Sequence, residues 1–194
     1  MNATIFDYGV GNIRSLAKAL SAAGARVEVT DDPETLFSAD RIVLPGVGAF
    51  GYVAARLAPV RERLLERLRA GTPALAVCIG MQALYEGSEE SEGAGIGLLP
   101  GIVRRLRHQV LPHIGWNTIV PGRDPVFDGV PRTAHYYFVH SFAPSPCTDG
   151  VIAEGEYGDR FAAAVRARNT WGFQFHPEKS SDAGRALLAN WLKQ

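Results

Sequence analysis

The chain has 194 residues, 46% of them hydrophobic and 21% charged, which is the profile of a folded globular protein rather than a disordered or fibrous one. Its 20 Lys and Arg balance 20 Asp and Glu, which argues against a nucleic-acid footprint or a polybasic membrane patch. No run approaches the roughly 18 apolar residues of a membrane span, and Met1-Asn2-Ala3 enters a strand-like run with no basic leader. One cytoplasmic domain over residues 1–194 is expected.

Residues 4–8 read as a first strand, closed by Gly9-Val10-Gly11. Asn12 is placed to cap a helix over 13–23, whose apolar Ile13, Leu16, Leu20 and Ala23 recur every three to four residues. Strands at 26–29 and 41–44 follow, the second stopped by Pro45-Gly46. One long helix fits 53–69, and the apolar run 73–77 has the look of a central parallel strand covered on both faces. From about residue 86 helices thin out. Glu89-Glu90-Ser91-Glu92-Gly93 reads as a solvated turn, and strands are expected at 101–107, 113–120, 135–142, 151–156 and 161–175, before a last helix over 181–192. The order implies a three-layer α/β fold: an open, mainly parallel central sheet, helices on both faces, and antiparallel additions in the C-terminal half.

The sharpest local signal is Ala76-Val77-Cys78-Ile79-Gly80-Met81-Gln82, an apolar strand running into a cysteine, then a glycine and the start of an amphipathic helix. That layout is similar to a nucleophile elbow, with helix-end amides favouring a thiolate. The same residues also fit a buried structural cysteine. A base is available in Phe175-His176-Pro177-Glu178: in extended chain His176 and Glu178 share a face, so one imidazole nitrogen can meet Glu178 and the other Cys78. A bare His-x-Glu is a weak signal and gains weight only from the elbow upstream. Gly46, Val47 and Gly48, after a buried strand, can turn backbone amides toward a reacting group, and with the Ile79 amide they are candidates for an oxyanion hole. A plain strand-to-helix turn is the alternative.

Other chemistries fit poorly. Gly9-Val10-Gly11-Asn12 lacks the dinucleotide-binding pattern. His108, His113, His135 and His140 form no metal-ligand spacing, and Cys78 and Cys147 suggest neither a disulfide scaffold nor a redox pair, so no metal or cofactor is expected. Trp116, Tyr136 and Tyr137 read as core aromatics rather than a base-stacking surface.

The elbow Val77 to Gln82 and the distal Phe175-His176-Pro177-Glu178 resemble those of class I, triad-type glutamine amidotransferases. Asp7-Tyr8-Gly9 with Gly11-Asn12, Pro45 to Phe50, Pro112-His113-Ile114-Gly115-Trp116-Asn117, Tyr137 to Ser141 and Glu178-Lys179-Ser180 narrow the resemblance to the glutaminase subunits of imidazole glycerol phosphate synthases, over essentially the whole chain. The resemblance implies Cys78 as nucleophile, His176 as base and Glu178 as its orienter. It implies that Gln82, Ser141 and Phe142 hold L-glutamine, and that Asn12, Trp116, Tyr137 and Lys179 lie at a subunit interface and ammonia passage. The implied partner is a barrel-shaped cyclase in a one-to-one heterodimer, which uses the ammonia in histidine biosynthesis. Two residues depart from the pattern: Val110 stands where many relatives are basic, and Phe142 where many have tyrosine. Another class I glutaminase, or a silent regulatory subunit, is the competing expectation.

Overall fold

A computed structural model describes residues 1–9, 11–146 and 148–194, so Cys147 and the Val10 of the first glycine loop lie outside the described residues. Four parallel strands, β1 (Asn2–Phe6), β2 (Arg26–Thr30), β3 (Ile42–Leu44) and β4 (Ala74–Val77), alternate with helices α1 (Ile13–Ala22), α2 (Pro33–Ser38), α3 (Phe50–Leu57) and α4 (Arg61–Arg69). The chain then makes α5 (Ile79–Gln82), β5 (Gly87–Ser88), β6 (Ile102–Arg105), β7 (His113–Thr118), β8 (Val120–Pro121), β9 (His135–His140) and β10 (Phe142–Pro144). It ends with β11 (Val151–Tyr157), β12 (Asp159–Ala167), β13 (Thr170–Phe173) and α6 (Ser181–Leu192).

The main sheet has the order β2-β1-β3-β4-β13-β12-β11-β8. Pairings from β2 to β13 are parallel and those from β13 to β8 antiparallel, as the composition of each half leads one to expect. Not every C-terminal strand extends this sheet: β5, β6 and β10 form a small sheet of their own, and β7 and β9 pair as a separate ribbon. Period-two alternation divides β4 between two cores. Leu75 and Val77 join one cluster with α1, α6 and the aromatics Phe138, Phe173 and Phe175. Ala74 and Ala76 join the other, with α2, α3 and α4. Burial on both faces is what makes the run 73–77 continuously apolar.

Several expectations about elements need correction. The strands expected at 113–120 and 135–142 each break, at Ile119 and Ser141, into two strands that belong to different sheets. The helix expected over 53–69 is two helices, because Pro59 has no N–H to donate to the preceding turn. A short helix at Pro33–Ser38 was not expected, although its start signal is plain: Asp32 accepts the Thr35 N–H at 2.8 Å and proline opens the first turn. The strand expected at 161–175 is a hairpin that reverses at Arg168, where φ is 53°. Asn12 does cap α1, through Ser15 N–H at 3.4 Å, and α6 spans the residues expected of it. No helix among the described residues is long and apolar enough to cross a membrane.

Candidate active site

β4 delivers Cys78 to the C-terminal edge of the sheet, where it sits at φ 51° and ψ −109°, a conformation that L-residues rarely adopt. The strain is held from both sides. Cys78 N–H donates to Phe173 O at 2.7 Å, and Gln82 N–H returns to Cys78 O at 3.0 Å. The helix that follows is a single, wholly buried turn rather than an amphipathic helix, because Gly80 packs directly under the β3 terminus and leaves no solvent face. Its macrodipole is correspondingly small.

His176 and Glu178 are paired, Nδ1 to Oε1 at 2.8 Å, with the side chains 1% and 3% exposed. They do not meet as extended-chain neighbours. His176 is the last extended residue, and Pro177–Lys179 forms a 3-10 turn that swings Glu178 back onto the ring; proline favours the first position of such a turn. The ring is fixed from behind by β9: His176 N–H donates to Tyr137 O at 2.9 Å, while Ser180 Oγ donates to His176 O at 2.6 Å and accepts Tyr137 N–H at 3.0 Å. Burial on its own lowers the affinity of this imidazole for a proton. The neighbouring Cys78 and Glu178 outweigh it and raise the His176 pKa to about 10. His176 Nε2 and Glu178 Oε2 are buried with no hydrogen-bond partner, so the contact between the ring and the sulfur is one of proximity and charge rather than a formed bond.

Val47, Gly48, Cys78, Ile79, Gln82, Ser141 and Phe142 line one cavity of about 170 Å³. Gly46 packs beneath it: a side chain there would run into Ile79 and come within 2.8 Å of Gly80 N. The structure thus brings together the candidate oxyanion, nucleophile and substrate segments. Gln82 Nε2 donates to Phe142 O at 2.8 Å and to Gln174 Oε1 at 3.1 Å, and Gln174 Nε2 approaches the Cys78 sulfur at 3.7 Å.

Several participants escaped the sequence reading. Glu90, Val139 and His140 also line the cavity. The acidic turn is no mere solvated loop, since Glu90 accepts Phe50 N–H at 2.7 Å and Ser91 accepts Gly51 N–H at 2.7 Å, together capping α3. Tyr8, fully buried, donates its hydroxyl to Pro45 O at the head of the glycine segment; burial, with the charge of Cys78, raises its pKa far above the usual phenol value. Gln174 sits in the Phe173-to-Glu178 segment but lacked any local signal, because its side-chain partners are Cys78, just after β4, and Gln82 of α5.

The four residues implied at an interface divide three and one. Trp116 and Tyr137 are register partners on β7 and β9 with ring centroids 6.0 Å apart, and Lys179 Nζ lies 5.4 Å from the Tyr137 ring. Asn12 stands at the start of α1, a helix that packs on the Pro177–Lys179 turn. Trp116 is 53% exposed, so it is a surface aromatic and not the core residue its hydrophobicity suggested; Tyr136 is the buried one. Odd residues of β7 turn inward at His113 and even ones outward, which sets Ile114 and Trp116 side by side on the surface.

A doubly wound sheet with a strained Cys-Ile-Gly elbow at one strand end and a buried His–Glu pair is the arrangement expected of a class I amidotransferase. The comparisons agree: the family described as glutamine amidotransferase class-I matches residues 4–194, and the chain belongs to it. Within that family its relatives include the imidazole glycerol phosphate synthase subunit HisH of Salinibacter ruber, 45% identical over 97% of this chain and 92% of the relative. The HisH subunit of Corynebacterium glutamicum is 42% identical over 97% of this chain and 96% of the relative. Among solved structures, PurLQS from Thermotoga maritima superposes with a TM-score of 0.77 at 18% identity, covering 99% of this chain and 97% of that one, a likeness of fold.

Proposed function

We propose that this chain is the HisH-type glutaminase subunit that frees ammonia from L-glutamine for histidine biosynthesis, with Cys78 as nucleophile. The observation that carries the reading is the placement of Cys78: strained, lining the cavity, and neighbour to the buried His176–Glu178 pair. Family membership of the whole chain and its HisH relatives support the same activity.

In this reading the sulfur gives its proton to His176 and attacks the side-chain amide carbon of glutamine. The oxyanion that forms is met by the Ile79 amide and by an amide of the Gly46-Val47-Gly48 segment. His176 returns the proton to the leaving nitrogen, so ammonia departs and a glutamyl thioester remains. Water, giving its proton to His176, then attacks the thioester and releases glutamate and the thiol. Glu178 orients the imidazole and balances its charge, and the raised pKa of His176 fits a ring that keeps the proton taken from the sulfur until the amide nitrogen leaves. Gln82 has committed both amide hydrogens, which leaves Oε1 to accept from the substrate, with Ser141 and Phe142 forming the adjoining wall. The Glu90 carboxylate in the same cavity suits the α-ammonium group of glutamine.

The partner we assign is a barrel-shaped cyclase bound one to one. The supporting feature is the surface of Ile114, Trp116, Tyr137 and Lys179, where exposed apolar and aromatic residues adjoin a cation at the back of the catalytic turn, with Asn12 at its border. Ammonia released at Cys78 needs a sheltered route to this face to escape protonation in water. The experiment combines the chain, the cyclase, glutamine and the phosphoribulosyl acceptor, and follows imidazole glycerol phosphate formed per glutamate released. A ratio near one, lost in C78A and lowered in K179A, is expected. Glutamine turnover surviving in C78A overturns the nucleophile, and a wild-type chain neither bound nor stimulated by the cyclase overturns the partner.

A further inference from the structure

The hydrogen bonds beside the cavity form one continuous chain, buried at its His113–His140 link, whose polarity has a single solution. At one end the Phe142 carbonyl can only accept, so His140 Nδ1, 3.0 Å away, carries a hydrogen. At the other end Asn117 donates through Nδ2 to Glu156 O at 3.0 Å and accepts Thr118 N–H at 2.8 Å, which fixes its amide and turns Nδ2 toward His113 Nε2 at 3.4 Å. His113 Nε2 is therefore the acceptor, and His113 Nδ1 carries the hydrogen that bridges to His140 Nε2 at 3.1 Å. Both rings are neutral and both hold their proton on Nδ1. A second proton on either would set two N–H groups face to face.

The surroundings impose the same state. His113 is stacked between Tyr157 and Phe138, with centroids 4.0 and 4.9 Å away. Burial, with the nearby His108 adding to it, lowers the His113 pKa to about 4, and burial lowers that of His140 to about 3. The chain does not stop at Phe142. The same carbonyl accepts Gln82 Nε2 at 2.8 Å, which obliges Gln174 to show its Oε1 to Gln82 and its Nε2 to the Cys78 sulfur. Two donors, one from each side, thus pin a carbonyl in the cavity wall. One of them is held in turn by β7, the strand that carries Trp116.

We propose that His113 and His140 are positioning residues that lock the Phe142 carbonyl, and through it the Gln82 amide, in the orientation that receives glutamine, and that they make the glutamine pocket sensitive to the position of β7. His113 lies outside the cavity and His140 borders it, donating to the Phe142 carbonyl, so the effect of the pair falls on glutamine binding more than on the chemical step. The proposal rests on the glutaminase reading for its substrate, but the proton positions on which it depends are measurable without turnover.

Two measurements test it. In the full chain labelled with 15N on histidine, long-range proton–nitrogen correlation spectra should show His113 and His140 as neutral Nδ1–H tautomers from about pH 5 to about pH 8. An Nε2–H tautomer or a charged ring at either position in that range overturns the proposal, whatever the kinetics. In steady-state glutaminase assays with the cyclase present, His113→Phe keeps the aromatic stack and removes the bridging donor; its KM for glutamine should rise about tenfold while kcat changes by less than about threefold. His113→Asn returns a donor to the Nδ1 position and should recover most of that loss. A KM in the phenylalanine variant within about twofold of wild type, or an asparagine variant as impaired as the phenylalanine one, also overturns it. Absence of glutamine turnover in the wild-type chain would instead sink the glutaminase reading and leave the tautomer result to stand or fall alone.

Discussion

Gly80 lies so close to the carbonyl oxygen of Leu44 that a Cβ on it would collide with that atom, and it would stand 3.2 Å from Pro45 O as well. The elbow after β4 and the glycine segment after β3 are therefore packed backbone on backbone. Gly46 makes the reciprocal approach, since a Cβ there would come within 2.7 Å of Val77 O. This contact is what brings two strand ends together at the candidate site. Gly80→Ala and Gly46→Ala should each destabilise the chain by about 1–3 kcal/mol in urea unfolding, as overpacking against unyielding backbone does. Each should cost more glutaminase activity than the folded fraction accounts for. A Gly80→Ala protein of wild-type stability and turnover would contradict the packing.

The φ of 51° at Cys78 separates two variants that both lack the sulfur. Glycine ordinarily destabilises a position relative to alanine by loosening the unfolded chain. Here the native backbone is one that only glycine adopts without strain, so the order should reverse. Cys78→Gly should be more stable than Cys78→Ala by about 1 kcal/mol, with glutamine hydrolysis abolished in both. Thermal or urea unfolding of the pair decides it; an alanine variant equal to or above the glycine variant would show that the elbow is unstrained.

The candidate catalytic segments were the most legible part of the chain, for a physical reason. A nucleophile elbow and a His-x-Glu pair each place their key residues within a few positions of one another, so spacing carries the signal. α1 and α6 were equally plain because each buries one face with a helical period, and β4 because burial on both faces makes it continuously apolar, while β1 lies at Asn2–Phe6, two residues before the expected 4–8. What periodicity concealed was punctuation: Leu57, Val60, Leu64 and Leu68 keep a helical face across Pro59, and the face outweighed the break. Six-residue α2 is too short for a period and announces itself only by its cap. Gln174, Glu90, Ser180 and the His113–His140 pair stayed hidden because their partners lie on other elements. Gln82 and Gln174, 92 positions apart, meet only once β4 and β13 are paired. His176 and Glu178 were placed together by the wrong local geometry, extended chain instead of a 3-10 turn, and Pro177 permits both.

Away from the site, Asp124 organises the opposite end of the sheet. Its buried carboxylate accepts Val126 N–H at 2.9 Å, Arg166 Nη1 at 3.1 Å and Trp171 Nε1 at 3.2 Å, and the Arg166 guanidinium lies 4.3 Å from the Trp171 ring centroid. Removing the acceptor strands an indole N–H in the core and a cation at its border. Asp124→Ala should cost about 2–4 kcal/mol of unfolding free energy, while Asp124→Asn, which keeps one acceptor oxygen, should cost less. Because the cluster touches no residue of the cavity, KM for glutamine should be unchanged in whatever fraction stays folded. Equal stability of the alanine variant and wild type would remove Asp124 from this role.

The three buried imidazoles give stability two pH limbs of opposite origin. For His176 the folded pKa of about 10 lies above the ordinary 6.5, through its Cys78 and Glu178 neighbours and against the effect of burial. Its contribution is therefore whole below pH 6.5 and is lost as pH rises toward 10. For His113 and His140 the folded values of about 4 and about 3 lie below 6.5, chiefly through burial. Above pH 6.5 both states leave these rings neutral, so stability falls only as pH drops from there toward their folded values. Each group tilts its limb by about 1.4 kcal/mol per pH unit at most. Unfolding free energy measured in urea across pH should thus peak near neutrality. The two limbs separate by mutation: in His176→Asn the alkaline decline should flatten and the acid limb remain, whereas in His113→Phe the acid limb should become shallower and the alkaline one persist. An alkaline limb of wild-type slope in His176→Asn would show that the imidazole does not carry its proton in the folded chain.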